Sequence, residues 1–468
     1  MNRGVKKIMK LDFENKYKNV YFIGIGGVSM SGLAEILVQK GIKVSGSDMK
    51  KGASTIKLEN LGVKINYGHK AENITDDIDL VVYTAAIKDD NPELVAARAK
   101  GIDAVERAVL LGSIMSHYPN SIAVAGTHGK TTTTSMISEI LLAADADPTI
   151  TIGGTLSTIH GNIKVGHSDY FVAEACEYHD SFLKFDPFVA VILNVEAEHL
   201  DYFKDINQIR QSFKGFAHNT PSGGYVVINS AVEGLEYITQ DLKSSVVTFG
   251  TDKEKSMWYP ENIVHNPNGT NTFDAYFEGR FMGHIILNVP GEHNILNALA
   301  ACAASTSVGI KMSKIVKGLE NYTGVNRRFQ YKGKYNGATI VDDYAHHPTE
   351  VKATLAAAKL VEHKTLWCVF QPHTYSRAKA LLEDFGTAFM DADKILLADI
   401  FAAREKDTGI ISSRDVAEKI KSHGKDAQYI GSLDNITEYL KKELKEGDLL
   451  ITMGAGDVYT VGEKLINM

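Results

Sequence analysis

Short runs of β-branched and aromatic residues alternate with amphipathic stretches of helix length along most of the chain. An apolar run at 20–25 is followed by a helical stretch near 30–39 and a second run at 43–47. This strand, helix, strand rhythm implies a mostly parallel sheet. It continues through 79–85 and 103–105, and a new unit opens at 121–125, which places a first boundary near Tyr118-Pro119. A second block runs from Ile122 to about Val325, with strands at 170–173 and 189–193 and a hairpin-like, Gly/Asn-rich patch at 266–283. The helix expected after Lys130 sets Ile137, Ile140, Leu141 and Ala144 on one face, the 3.6-residue spacing of a packed helix. From Arg328 the pattern restarts, with strands at 339–342, 366–370, 395–398 and 449–452. The expected fold is α/β in three domains, residues 1–118, 119–326 and 327–468, with no short-period repeat and no low-complexity tract.

Composition narrows the function. With 468 residues, 44% apolar and 23% charged, the chain can bury several cores. Ten prolines against 40 glycines fit few rigid linkers and many tight turns. A net charge of -7 offers no long positive field to a phosphate backbone, so nucleic acid is a poor partner. Cys176, Cys302 and Cys368 are far apart and form no CxxC pair, which fits reduced thiols in a cytoplasm. Lys6, Lys7 and Lys10 precede an apolar stretch that is short, glycine-broken and without a cleavage signature, so neither signal peptide nor membrane span is expected.

The most specific segment is Ala125-Gly126-Thr127-His128-Gly129-Lys130-Thr131-Thr132, between an apolar strand and an amphipathic helix. A phosphate-binding loop needs that setting. Main-chain N–H groups at the helix start point at an anion, Lys130 supplies a point charge, and the Thr131 hydroxyl can complete the shell of a nucleotide-bound Mg2+. Val124 stands where the usual pattern has its first glycine, so the loop is a shortened variant. The strand at 170–173 ends in Glu174, and the strand at 189–193 runs into Asn194, Glu196, Glu198 and His199. If both flank the strand before the loop, Glu174 and His199 sit near the phosphates and can ligate metal directly or through water.

Near the N-terminus, Gly24-Ile25-Gly26-Gly27-Val28-Ser29-Met30-Ser31-Gly32 precedes Asp48 at the next strand end. Ser29 replaces the third glycine of a dinucleotide fingerprint, so the loop suits pyrophosphate better than NAD specifically. Further on, His293-Asn294-Ile295-Leu296-Asn297 opens an Ala-rich helix. Arg327-Arg328 is followed by Asp342-Asp343-Tyr344-Ala345-His346-His347-Pro348, and Gln371-Pro372-His373 with Arg377 repeats the strand-end arrangement. Each of these is open to a capping or surface role as well as a functional one.

In this order and spacing the segments resemble the Mur ligases of bacterial cell-wall synthesis, over nearly the whole chain. The resemblance implies a Rossmann-like N-terminal domain that binds the UDP of a sugar substrate, a central P-loop ATPase-type domain and a Rossmann-like C-terminal domain for the amino acid. It implies ATP contacts at Gly126, Thr127, His128, Gly129, Lys130, Thr131, Thr132, Asn294, Asn297, Arg328 and Asp343, and Mg2+ ligands at Thr131, Glu174 and His199. Lys130, Glu174 and His199 take the catalytic roles. Gly26, Gly27, Ser29, Met30, Asp48, His69 and Arg107 would hold the UDP-sugar, and His346, His373 and Arg377 the amino acid. Gly24-Ile25-Gly26-Gly27 with Met30, Glu174-Ala175-Cys176-Glu177, Asn194-Val195-Glu196 before His199, and Asp343-Tyr344-Ala345-His346-His347-Pro348-Thr349-Glu350 look like the alanine-adding branch.

That branch implies joining L-alanine to the lactyl carboxylate of UDP-N-acetylmuramate through an acyl phosphate, by a monomer or homodimer in the cytoplasm. A sister that recycles a ready-made tripeptide onto the same sugar is the alternative. Many relatives have aspartate where this chain has Cys176, and a lysine that is carbamylated in sister ligases aligns with Phe213, beside Lys214. No carbamylation is expected. Thr374 follows His373 where some relatives have arginine, which leaves Arg377 and Arg404 as candidate cations for the carboxylate. A nicotinamide dehydrogenase would leave the Lys130 loop unexplained, and a non-enzymatic P-loop switch would leave the N-terminal glycine loop without a ligand.

Overall fold

A computed structural model describes residues 10–84, 86–199, 202–267, 269–403 and 405–467; Lys6, Lys7 and Arg404 lie outside them. The first sheet has five parallel strands in the order Lys64–Tyr67, Lys43–Asp48, Asn19–Ile23, Leu80–Tyr83 and Asp103–Glu106. The order reverses at Asn19–Ile23, so the glycine-rich turn that leaves this strand opens where doubly wound sheets bind ligands. Asn19–Ile23 is buried along its whole length, as a strand covered on both faces must be.

In the central sheet Asn120–Ala125 lies between Val189–Ile192 and Tyr170–Glu174, all parallel. Tyr225–Asn229 and Ser245–Phe249 extend it beyond Val189–Ile192, and Thr149–Leu156 pairs on the other side before turning back in an antiparallel hairpin with Gly161–Lys164. The loop strand is therefore flanked by the two strands expected to carry metal ligands. The helix after the loop, Lys130–Ala143, departs from the one-face pattern: every residue of 132–141 is buried, and Ala144 is the cap. Two of its hydroxyls are satisfied by the backbone, Ser135 and Ser138 donating to the carbonyls of Thr131 and Thr134 at 2.7 Å, whereas those of Thr133 and Thr134 are buried without a hydrogen-bond partner among the described residues.

The chain forms two compact units. One holds the chain up to Tyr259 with Phe277–Arg280 and Leu299–Gly318; the other holds Pro260–Tyr276, Phe281–Ala298 and everything from Leu319. The first sheet and the central-sheet strands named above thus share a unit, and one continuous apolar core runs from Val20, Phe22 and Leu33 to Phe171, Phe182 and Phe213. Two glycines permit the approach. A Cβ on Gly32 would collide with the Ile163 side chain, and one on Gly112 with the Lys184 carbonyl. Gly32, read in the sequence as part of the phosphate turn, is thus a packing residue. Phe213 also belongs to this core, edge-on to Phe182 at 5.1 Å.

The second unit contains a six-stranded sheet in the order Gln330–Tyr335, Ala338–Asp343, Leu449–Met453, Leu366–Phe370, Lys394–Ala398 and Ala427–Gly431. Only the first pair is antiparallel. Separate apolar clusters cover its faces, one around Phe370, Phe385 and Phe389, the other around Trp367, Ile436 and Leu440. Among the described residues no helix is long and apolar enough to cross a membrane.

Gly112→Ala places a methyl against a backbone carbonyl that no rotamer change can clear. The variant should lose about 1–3 kcal/mol of stability, read as a lower denaturation midpoint. An unchanged midpoint would show that the two segments do not pack at this point.

Candidate active site

The loop is shaped by its glycines. Gly129 caps the helix at φ 84, a left-handed conformation that favours glycine, and delivers Lys130 as the first helical residue. A Cβ on Gly126 would approach that of Leu193 at 2.9 Å, so the loop lies tight against the neighbouring strand end. Asn194, one residue beyond Leu193, clamps it. The His128 N–H donates to Asn194 Oδ1 at 2.8 Å, and Asn194 Nδ2 donates to the His128 carbonyl at 3.1 Å. The Glu196 N–H donates to Thr127 Oγ1 at 3.0 Å.

The Lys130 ammonium donates to the carbonyls of Gly126 and Thr127 and lies 3.1 Å from Glu177 Oε2. Its side chain is 18% exposed and that of Glu177 4%. Burial pulls the ammonium's pKa down, but the nearby Glu177, Cys176 and Glu174 outweigh it, so the pKa stands above the ordinary lysine range. The lysine is thus held charged beside the loop. Glu177 Oε1 also lies 3.6 Å from His199 Nε2, and the ligating atoms of Glu177, Glu198 and His199 fall within 4.8 Å of one another. Two carboxylates and an imidazole beside a phosphate loop suit a hard divalent cation. The His199 ring packs on Tyr178 at 4.5 Å, with its backbone in the left-handed region at φ 54.

Glu174, expected as a ligand, accepts the Gly153 N–H at 2.6 Å and reaches Lys130 as a charge. Glu177 and Glu198 were quoted in the sequence motifs without a role, yet they stand with His199. Asn194 was likewise overlooked, although an amide directly after a strand beside the loop was the available signal.

Around the N-terminal glycine loop, Asp48 accepts the Gly26 N–H at 2.8 Å, and Arg107 donates to Ser29 Oγ at 2.9 Å. Burial pulls the Arg107 guanidinium below its ordinary range. Gly27 caps the helix Val28–Gln39, and the Met30 side chain is 1% exposed and packs in the core. His69 contacts the buried carboxylate of Glu93.

In the second unit Asn294 and Asn297 are buried and joined, Asn297 Nδ2 donating to Asn294 Oδ1 at 3.1 Å. Asp343 accepts the N–H groups of Phe329 and Ala345, each at 2.7 Å, and burial raises its carboxyl to about 6 against the pull of Arg328. Arg328 lies 3.6 Å from Glu350, which also contacts His346 at 3.2 Å. The His346 ring is 5.7 Å from that of His373, and Arg377 Nη1 is 3.1 Å from His373 Nδ1. The structure therefore gathers His346, His373 and Arg377 in one cluster. Burial, His346 and Arg377 lower His373 to about 4, which leaves its Nδ1 as an acceptor for the guanidinium.

Because the His373 pKa falls from 6.5 to about 4 on folding, its contribution to stability is present above pH 6.5 and lost as pH falls toward 4. Asp343 has the opposite sign, favouring the fold below the ordinary carboxylate range and losing that share as pH rises through about 6. His373→Gln should therefore flatten the loss of thermal stability between pH 7 and 4.5, by up to about 2 kcal/mol after allowing for exposure. Equal slopes in parent and variant would contradict this.

Three family models match the chain in sequence: "Mur ligase family, catalytic domain" at residues 19–119, "Mur ligase middle domain" at 124–305 and "Mur ligase, glutamate ligase domain" at 327–456. A UDP-N-acetylmuramate--L-alanine ligase of Acetivibrio thermocellus is 55% identical over 97% of this chain and 96% of its own. That of Agathobacter rectalis is 54% identical over 98% and 99%. Among solved structures, the UDP-N-acetylmuramate-alanine ligase of Thermotoga maritima superposes with a TM-score of 0.78 at 29% identity, covering 96% of this chain and 98% of that one. A murein peptide ligase of Psychrobacter arcticus gives 0.67 at 25% identity, with coverage of 96% and 98%.

Proposed function

The chain belongs to the Mur ligase family, and we propose that it joins L-alanine to the lactyl carboxylate of UDP-N-acetylmuramate at the expense of ATP, the first peptide step in building the peptidoglycan precursor. One observation carries the chemistry: a largely buried lysine held charged at the start of a helix, beside the carboxylate and imidazole cluster of Glu177, Glu198 and His199. The names of relatives sharing more than half their residues with it support the choice of substrates.

Forming an amide from a free carboxylate at neutral pH requires that one oxygen become a leaving group. A lactyl oxygen attacks the γ-phosphorus of ATP, the bond to the β-phosphate oxygen breaks, and ADP departs. The alanine amine then attacks the acyl carbon, and the tetrahedral intermediate expels phosphate. Lys130 neutralises charge on the phosphoryl group in transfer, the electrostatic work such reactions chiefly need. Thr131, Glu174 and His199, with Glu177 and Glu198 beside them, would hold Mg2+, which shields phosphate charge when bound. Asn294, Asn297, Arg328 and Asp343 serve the nucleotide, and His346, His373 and Arg377 serve the alanine carboxylate. Gly26, Gly27, Ser29, Met30, Asp48, His69 and Arg107 hold the sugar nucleotide.

We place the domain boundaries at 118/119 and 326/327, and the enzyme in the cytoplasm as a monomer or homodimer. ADP release measured with MgATP and UDP-N-acetylmuramate should be fastest with L-alanine, slower with glycine, and negligible without acceptor. Turnover only with L-alanyl-D-glutamyl-diaminopimelate would move the chain to the recycling branch, and release indifferent to the sugar nucleotide would overturn the ligase reading. Lys130→Ala should lower kcat/KM by about three orders of magnitude or more.

A further inference from the structure

One carboxylate on a helix beside the N-terminal sheet is fully buried and has no part in the chemistry above. Glu93, in the first turn of the helix Pro92–Ala99, has a side chain with 0% exposure. A carboxylate taken out of water persists only when its lone pairs are satisfied. Here four side chains do so. Tyr21 Oη donates to Oε1 at 2.8 Å and Asn73 Nδ2 to the same oxygen at 2.6 Å. Ser47 Oγ donates to Oε2 at 2.6 Å, and His69 Nδ1 lies 2.7 Å from that oxygen. The helix start adds its own favourable field for a negative charge.

The partners come from the strand Asn19–Ile23, the end of Lys43–Asp48, and the segment after Lys64–Tyr67. They converge behind the glycine loop. The Ser47 carbonyl accepts the N–H groups of Gly24 and Ile25 at 2.8 and 2.9 Å, while the next residue, Asp48, accepts that of Gly26. Glu93 therefore ties the underside of the loop, through Ser47, to the imidazole of His69.

We propose that Glu93 is a positioning residue for the nucleoside end of the sugar-nucleotide subsite, acting through His69; this rests on the ligase reading above. A carboxylate at Nδ1 fixes the ring proton there, so the neutral imidazole presents Nε2 as an acceptor. Among the described residues Nε2 has no hydrogen-bond partner, and the His69 side chain is 16% exposed. An acceptor of this kind suits a ribose hydroxyl or the uracil imide N–H and not a phosphate oxygen, which requires a donor.

The test is calorimetric titration of UDP-N-acetylmuramate at pH 8 into the full chain, its E93Q, H69A and Y21F variants and the E93Q/H69A double variant, with steady-state kinetics alongside. E93Q and H69A should each weaken binding about 10–100-fold, raising KM for the sugar nucleotide, and in E93Q kcat and KM for ATP should stay within about twofold. The double variant should bind no worse than either single one. Y21F removes a hydrogen bond from Glu93 without touching His69, so it should lower the thermal midpoint and leave affinity unchanged. Nitrogen-15 shifts of the parent should report the proton on His69 Nδ1, which keeps the proposal testable if E93Q does not fold. Parent-like affinity in folded E93Q, losses that multiply in the double variant, or a proton on Nε2 would each overturn it. A folded parent that binds no uridine nucleotide would instead overturn the ligase reading on which it stands.

Discussion

A lysine ammonium largely out of water must have its charge answered, and at Lys130 that requirement organises the surrounding structure. Two loop carbonyls and the carboxylate of Glu177 surround it, and the balance leaves the amine charged in spite of burial. The carboxylate that balances the lysine also stands with Glu198 and His199. The same charges thus serve two needs: they keep the cation ready for phosphate and they gather donors for a metal. Breaking one partner from a buried pair is costly, so the loop, the turn after Cys176 and the segment ending at His199 act as one assembly.

Sheet topology makes the assembly possible. Three parallel strands end side by side, and each releases polar residues at its carboxyl end: the loop from Asn120–Ala125, Glu174 to Glu177 from Tyr170–Glu174, and Asn194 to His199 from Val189–Ile192. The N-terminal sheet repeats the device with its glycine loop and Asp48, and the C-terminal sheet with Asp343, His346 and His373. Chemistry of this kind needs groups from distant parts of the chain, and aligned strand ends supply them without long loops.

Legibility in the sequence followed the range of the forces involved. The Lys130 loop was readable because its geometry is local: a left-handed glycine, then a lysine, then a helix. Buried strands such as Leu366–Phe370 were read to the residue, whereas Lys64–Tyr67 and Gln330–Tyr335, at sheet edges with few apolar residues, left no pattern. The helix Lys130–Ala143 is buried well beyond the apolar face its spacing marks, because its threonines and serines are buried as well and two serines return their hydroxyls to the backbone. Glu177 was hidden for a different reason. Its place depends on a turn in which His179 and Asp180 adopt left-handed conformations that no spacing announces. Glu93 reads as an ordinary helix-start carboxylate until partners 20 to 72 residues away enclose it.

The central claim is that the lysine and its surrounding charges serve transfer of a phosphoryl group to a carboxylate oxygen. The most direct measurement uses UDP-N-acetylmuramate carrying oxygen-18 in its lactyl carboxylate, with unlabelled ATP, L-alanine and water. If the carboxylate is phosphorylated before the amine attacks, one labelled oxygen leaves in the released phosphate. Phosphate free of label, with the amide formed in full, would contradict the account.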